Sequence, residues 1–237
     1  MNLDKPIISV EKAARTFELA GETVSVLKSI DLSVKHGEFV TLIGRSGSGK
    51  TTLLNLLSGL DSPSSGKVLF EDHNMADLNE GKLTELRRSK LGFVFQSFGL
   101  LPLLSAFENV ELPLRISGLG TREREKQTRK ALDIVGLVGR SNHRPYELSG
   151  GEQQRVAIAR AIVHNPVLIL ADEPTGELDS VNSRAIFGLF KQMVEENNMA
   201  VVAATHDSNL LEMSDRVLRL SEGYIEEDAT YGQRFRD

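Results

Sequence analysis

The chain has 237 residues, 40% of them hydrophobic and none cysteine, enough for one large domain, or a domain plus a subdomain, with a real core and incompatible with disulfides or thiolate metal sites, as fits a reducing compartment. Its 28 basic and 33 acidic residues leave a formal charge of -5, which argues against nucleic-acid binding through bulk electrostatics. Aromatics at 5% argue against base-stacking platforms.

The opening MNLDKPIISV lacks the apolar core of a secretory signal. No apolar run approaches the roughly 18 residues of a membrane helix; the longest are LLPLL at 100–104 and VLILA at 167–171. A soluble protein is expected, with membrane contact only through a partner. In chain order, strands are expected at 7–10, around 24–34 and at 39–43. A helix over 50–58 follows, stopped by Gly59 at a C′ position. Residues 68–70 read as strand, 83–88 as helix and 91–95 as a buried strand. Between Gln96 and about Ala157 helical patterns dominate, with breakers at Pro102, Pro113, Gly118, Gly120 and Pro145. Strands then return at 167–171, 200–205 and 216–220, with helices near 182–196 and after His206. Short continuous apolar strands alternating with helices imply a parallel sheet covered on both faces. The expected fold class is α/β with a helical insertion. The last residues, EEDATYGQRFRD, read as a solvated tail.

The segment Gly44-Arg45-Ser46-Gly47-Ser48-Gly49-Lys50-Thr51 fits the phosphate-loop pattern and sits between a strand and a helix. Backbone N–H groups of such a loop wrap phosphates, with the helix dipole behind them. Lys50 is placed to reach the β and γ phosphates, and the Thr51 hydroxyl to ligate Mg²⁺. Thr52 continues the same helix start. The strand at 167–171 delivers Asp172 and Glu173 at its carboxyl end, where α/β sheets place ligands. Asp172 suits a Mg²⁺ shell and Glu173 a base for water attack; the plainer reading is an acidic pair facing solvent. His206 closes another strand, either near a γ-phosphate or merely exposed. Gln96 ends the strand before the insertion, as a contact to Mg²⁺ or water or as an ordinary loop residue.

A second glycine-rich cradle lies at LSGGEQQR, 148–155. Ser149-x-x-Glu152 is a capping-box pattern, opening a helix to about His164 with a buried stripe at Val156, Ala159 and Val163. Gly150 and Gly151 leave the first N–H groups open to an anion; a well-capped structural helix is the plainer reading.

A phosphate loop, a Gln after a strand, LSGGE, a strand ending in Asp-Glu, a Leu-Asp and a His, in this order and over nearly the whole chain, resemble an ABC transporter ATPase domain. The resemblance implies a P-loop NTPase, RecA-like core with a parallel sheet and an antiparallel β subdomain. Residues 1–96 and 158–237 would form that core and 97–157 the inserted α-helical signature subdomain, in one domain over 1–237. It implies ATP and Mg²⁺ as cofactors. Gly44, Gly49, Lys50 and Thr51 would bind phosphate and magnesium. Gln96 would be the hinge glutamine and Asp172 part of the magnesium shell, with Glu173 the catalytic base and His206 the switch histidine. Ser149, Gly150 and Gly151 would contact ATP held by a second copy, and Asp179 would line that interface. The second cradle would thus serve the partner's nucleotide, in a dimer, expected to be a homodimer, that closes on two ATP. Phe17 stands where the family keeps an aromatic for adenine.

ADEPTGELD at 171–179, with 93–114 and 142–161, is similar to the branch of LolD-like lipoprotein-release, MacB-type export, FtsE-type division and peptide-detoxification ATPases. Glu177 departs from the usual Asn. The short stretch after His206 is expected to leave no room for a C-terminal regulatory domain. The implied partner is an integral membrane permease, docked through some of Phe98, Leu100, Leu101 and Leu103, with the others packing their own subdomain. The implied location is the cytoplasmic face of the inner membrane, peripherally held. The function implied is ATP hydrolysis driving export or lipoprotein release. A division-type ATPase that signals without carrying cargo is the alternative. A soluble DNA-repair or translation ATPase would carry a coiled-coil insertion or tandem domains, neither of which is expected here.

Overall fold

The computed structural model describes residues 5–19 and 21–227. Its elements are β1 (Pro6–Leu19), β2 (Glu22–Lys35), β3 (Phe39–Ile43), α1 (Lys50–Ser58), β4 (Ser65–Phe70), β5 (His73–Asn74), α2 (Glu80–Lys90) and β6 (Leu91–Val94). The insertion carries α3 (Ala106–Ile116) and α4 (Thr121–Ile134), then α5 (Gly150–Ile162). β7 (Leu168–Asp172), α6 (Ser180–Asn197), β8 (Ala200–Thr205), β9 (Arg216–Ser221) and β10 (Tyr224–Glu227) complete the chain order.

The main sheet runs β10-β9-β3-β8-β7-β6. β9, β3, β8, β7 and β6 are mutually parallel, and β10 folds back antiparallel on β9. The alternation along these strands explains the layers. Phe39, Ile169, Ala171, Val201 and Ala203 point into one core, with the α3–α6 side chains. Val40, Leu42, Leu168, Leu170, Val202 and Ala204 point into the other, with α1 and the second sheet. Both faces are buried, so the strands read as unbroken apolar runs. That second sheet, β2-β1-β4-β5, is antiparallel throughout. Phe39, Phe187 and Phe190 form a fully buried triad with centroids 5.6 to 6.2 Å apart. Truncating one of these rings should cost about 3–5 kcal/mol.

The structure revises several expectations. Pro113 lies inside α3 and does not break it. It sits in the last turns of a helix held at its start by a capping box, Ser105 with Glu108, so only one ladder bond is forfeited late. α5 is buried on more than one stripe. Val156, Ala157, Ile158 and Ala159 are all fully buried, because the helix packs between the insertion and the sheet. The expected tail begins inside β10, whose Glu226 and Glu227 pair with Arg219 and Leu218; residues 228–237 of that tail lie outside the described residues. The helix expected after His206 is a 3₁₀ segment over Ser208–Met213.

Candidate functional site

Three carboxyl strand ends meet at one edge of the main sheet. β3 runs into the phosphate loop, β8 lies beside it and ends at Thr205, and β7 beside β8 ends at Asp172. The loop closes through Gly47 and Gly49, at φ 78° and 103°. A Cβ on Gly49 would sit 2.9 Å from Leu27 Cδ2, so the left-handed turn and the close approach both require glycine there. No side chain caps α1, and its first turn holds no acidic residue. Its leading N–H groups and positive dipole end are thus offered to an outside anion.

Lys50 is buried, and its ammonium donates to the carbonyls of Gly44 at 2.9 Å and Arg45 at 3.4 Å. It also pairs with Glu173 Oε1 at 3.2 Å. Glu173 Oε2 is 2.9 Å from His206 Nδ1, so one carboxylate bridges the phosphate-loop lysine and the histidine. The Glu173 backbone is left-handed, φ 46°, a conformation costing about 1–2 kcal/mol for a non-glycine residue. Its N–H still finds Ala204 O at 3.0 Å. Thr51 Oγ1 donates to Asp172 Oδ2 at 2.8 Å. Asp172 Oδ1 is buried with no partner. Burial first, and the Glu173 charge second, push the Asp172 carboxyl above its usual value against the pull of Thr51 and Lys50.

These groups surround a cavity of about 730 Å³ lined by Val26, Ser46, Gly47, Gly49, Lys50, Thr51, Thr52, Gln96, Glu173 and His206. Gln96 is held close to the loop after Glu173: a Cβ on Gly176 would meet its Nε2 at 3.0 Å. Gly44, Arg45 and Ser48 face a second hollow of about 630 Å³ across the loop. Phe17 lines neither hollow. It pairs with Val24 on β2, and the Arg15 guanidinium lies 4.5 Å over its ring.

The second cradle is elsewhere. Ser149 Oγ accepts from Glu152 N at 3.3 Å, and Glu152 Oε2 accepts from Ser149 N at 2.9 Å, the reciprocal pair expected. The backbone bond from Ser149 lowers the Glu152 pKa, and Arg140 reinforces this at 3.0 Å. Gly151 is pressed on α6: a Cβ there would come within 2.6 Å of Asn182 Oδ1. Asp179 caps α6 by accepting from Asn182 N and Val181 N; the Asn182 backbone and side-chain N–H groups, more than Val181, hold its pKa low. Ser149 to Glu152 therefore cluster with Asp179 through Asn182, and none of them lines the cavity around Lys50. Glu177 is exposed nearby. Of the loop leucines, Leu103 is 80% and Leu101 46% exposed, whereas Leu100 packs on the core.

Sequence reading missed Val26, Gly176 and Asn182, whose roles depend on contacts far along the chain. It also missed Arg160, though an arginine inside the buried run of α5 was a signal. Among the described residues no three His, Cys, Asp or Glu side chains converge to hold a metal, and no helix is long and apolar enough to cross a membrane.

A family model described as ABC transporter matches residues 27–176. The lipoprotein-releasing system ATP-binding protein LolD of Legionella pneumophila is 45% identical over 219 residues, covering 92% of this chain and 96% of LolD. The macrolide export ATP-binding/permease protein MacB of Wolinella succinogenes is 44% identical over 94% of this chain, which spans 34% of that longer protein. Among solved structures, the dimeric post-hydrolysis state of the ATP-binding cassette MJ0796 of Methanocaldococcus jannaschii, bound to ADP and Pi, superposes with a TM-score of 0.85 at 43% identity, over 92% of this chain and 96% of that one.

Proposed function

This chain belongs to the ABC transporter family as an ATP-binding domain, and from that premise we propose that it is the ATPase subunit of an export or lipoprotein-release complex. Two copies close around two ATP and work on an integral membrane permease from its cytoplasmic face. The observation that carries this reading is the Lys50–Glu173–His206 chain beside the Thr51–Asp172 pair, at the rim of the 730 Å³ cavity.

The loop N–H groups from Gly44 to Thr52 hold the phosphates, with Lys50 as the point charge on them. Mg²⁺ fits Thr51 and Asp172. Asp172 Oδ1 is a buried acceptor without a donor, and Mg²⁺ favours one or two protein oxygens with phosphate and water completing its shell. Bound there, the metal would neutralise phosphate charge. Glu173 takes the proton of the attacking water, His206 orients Glu173, and Gln96 closes the cavity wall. Ser149, Gly150, Gly151 and Glu152, with Asp179, form the surface offered to the second copy's nucleotide. Phe17 would stack on adenine only with the base lying along β1, outside both hollows, and with Arg15 moved off its ring. Residues 97–157 act as the helical signature subdomain, α5 running across its boundary into the core formed by 1–96 and 158–237. Leu101 and Leu103, exposed beside the Gln96 loop, are the docking leucines.

The test is Glu173→Gln. The amide keeps the shape, offers its oxygen to Lys50 and can donate to His206 Nδ1, but it accepts no proton. ATP binding should persist while hydrolysis slows at least about a hundredfold. Gel filtration should then resolve an ATP-bound dimer. Near-normal turnover would remove Glu173 from the mechanism.

A further inference from the structure

Arg160 is a half-buried cation with no anion beside it among the described residues. It stands near the end of α5, between the fully buried Ala159 and the buried Ala161. Among the described residues its bonds go to two backbone carbonyls, Nη1 to Gly99 O at 2.6 Å and Nη2 to Phe98 O at 3.0 Å. Burial alone pulls its pKa below the usual arginine value, and no charge opposes that. Drawing a charge even partly out of water costs free energy, and an apolar side chain would fill the same space without that cost. Packing therefore gives no reason for an arginine here; the two carbonyls do.

Phe98 and Gly99 are consecutive left-handed residues, φ 56° and 59°. Two positions upstream is Gln96, which lines the nucleotide cavity and presses on Gly176 in the Glu173 turn. The other end of α5 is the Ser149–Gly151 cradle, about 15 Å from Arg160 along the axis at 1.5 Å per residue. The Phe98 ring reaches that end: a Cβ on Gly150 would lie 3.8 Å from Phe98 Cζ. One helix thus grips the 97–99 turn twice, by ring contact near its start and by the guanidinium near its end. A planar fork spans two neighbouring carbonyls, which a lysine ammonium does not reproduce.

We infer that Arg160 is a positioning residue that locks the 97–99 turn to α5, so that Gln96 and the second cradle move as one body. This rests on the proposed roles of Gln96 and the cradle. Gln96 could otherwise shift toward bound phosphate without moving Ser149; with the lock, each displacement is passed to the other.

The experiment is a double-mutant cycle on the purified full chain, with Arg160→Met, Gln96→Ala and both together. Steady-state ATPase, ATP affinity and melting temperature are read for each. Arg160→Met should lower kcat about tenfold with KM within about twofold, since Arg160 touches nothing in the cavity. The double variant should be no slower than Gln96→Ala alone, within about twofold. Arg160→Lys, with its charge and one donor kept, should recover part of kcat. If Arg160→Met melts early, the same cycle is run with Arg160→Lys. Losses that multiply in the double variant, or a Gln96→Ala chain as fast as wild type, overturn the lock while leaving the ATPase reading standing. A wild-type chain that hydrolyses no ATP sinks that reading itself.

Discussion

Asp172→Asn should make the nucleotide-free protein more stable while disabling its magnesium chemistry. Asp172 Oδ2 accepts from Thr51 at 2.8 Å, but Oδ1 is buried and unpartnered. A buried group left unsatisfied costs about 1–3 kcal/mol. The asparagine keeps the Thr51 bond and puts a neutral, still unpartnered amide in place of the charge, so the net gain is about 1 kcal/mol, or about 2–4 °C for a chain of this size. The pH dependence has a definite sign. The folded-state pKa is raised from the ordinary 3.8. Between that value and the raised one, the folded chain binds more protons than the unfolded chain, and stability falls as pH rises through the window. The cost is complete at neutral pH, so the gain from Asp172→Asn is largest there and fades toward pH 4. Thermal melts in chelator at both pH values measure it. Saturating ATP with Mg²⁺ should raise the wild-type melt, by about 2.7 kcal/mol at a hundred times Kd, and raise the variant far less. ATP in chelator should act on both alike. A variant melting below wild type at pH 7 without nucleotide would refute the reasoning.

Lys50→Ala removes the point charge on the phosphates and should weaken ATP binding at least about tenfold by calorimetry; unchanged affinity contradicts the assignment. Leu101→Glu with Leu103→Glu should spare basal ATPase activity and abolish capture by permease-containing membranes. Leu100→Glu should instead lower the melting temperature, since Leu100 packs on the core. A mixed dimer of Lys50→Ala and Ser149→Arg chains, with Glu173→Gln in both, should occlude about one ATP per dimer, and each mutant homodimer none. No occlusion in the mixed dimer would mean that each cradle serves its own chain.

β3, α1 and β8 were legible to the residue, because contiguous apolar runs and a glycine stop mark them without reference to anything distant. β10 was not, because Tyr224–Glu227 is half acidic and becomes a strand only by pairing with β9. α3 was obscured by Pro113, whose tolerance depends on where in the helix it falls. The phosphate loop and the Asp172–Glu173 strand end were readable as short local strings. The bridging of Lys50 and His206 by Glu173 was not, since it joins three strand ends that only the sheet order brings together. The split among the leucines at 100–103 was equally hidden. The buried Asn109 holds that loop through Leu101 N, Leu101 O and Leu104 O, and so decides which leucine turns inward.

β3 feeds one core with Phe39 and the other with Val40 and Leu42, and it is laddered to β8 on one side and β9 on the other. Deleting one residue from it would exchange the two sets of side chains, and would draw Gly44 back by about 3.3 Å, one strand residue. Point changes among apolar residues leave that spacing alone. The five residues of β3 are therefore a ruler for the phosphate loop, open to substitution during descent and closed to insertion or deletion.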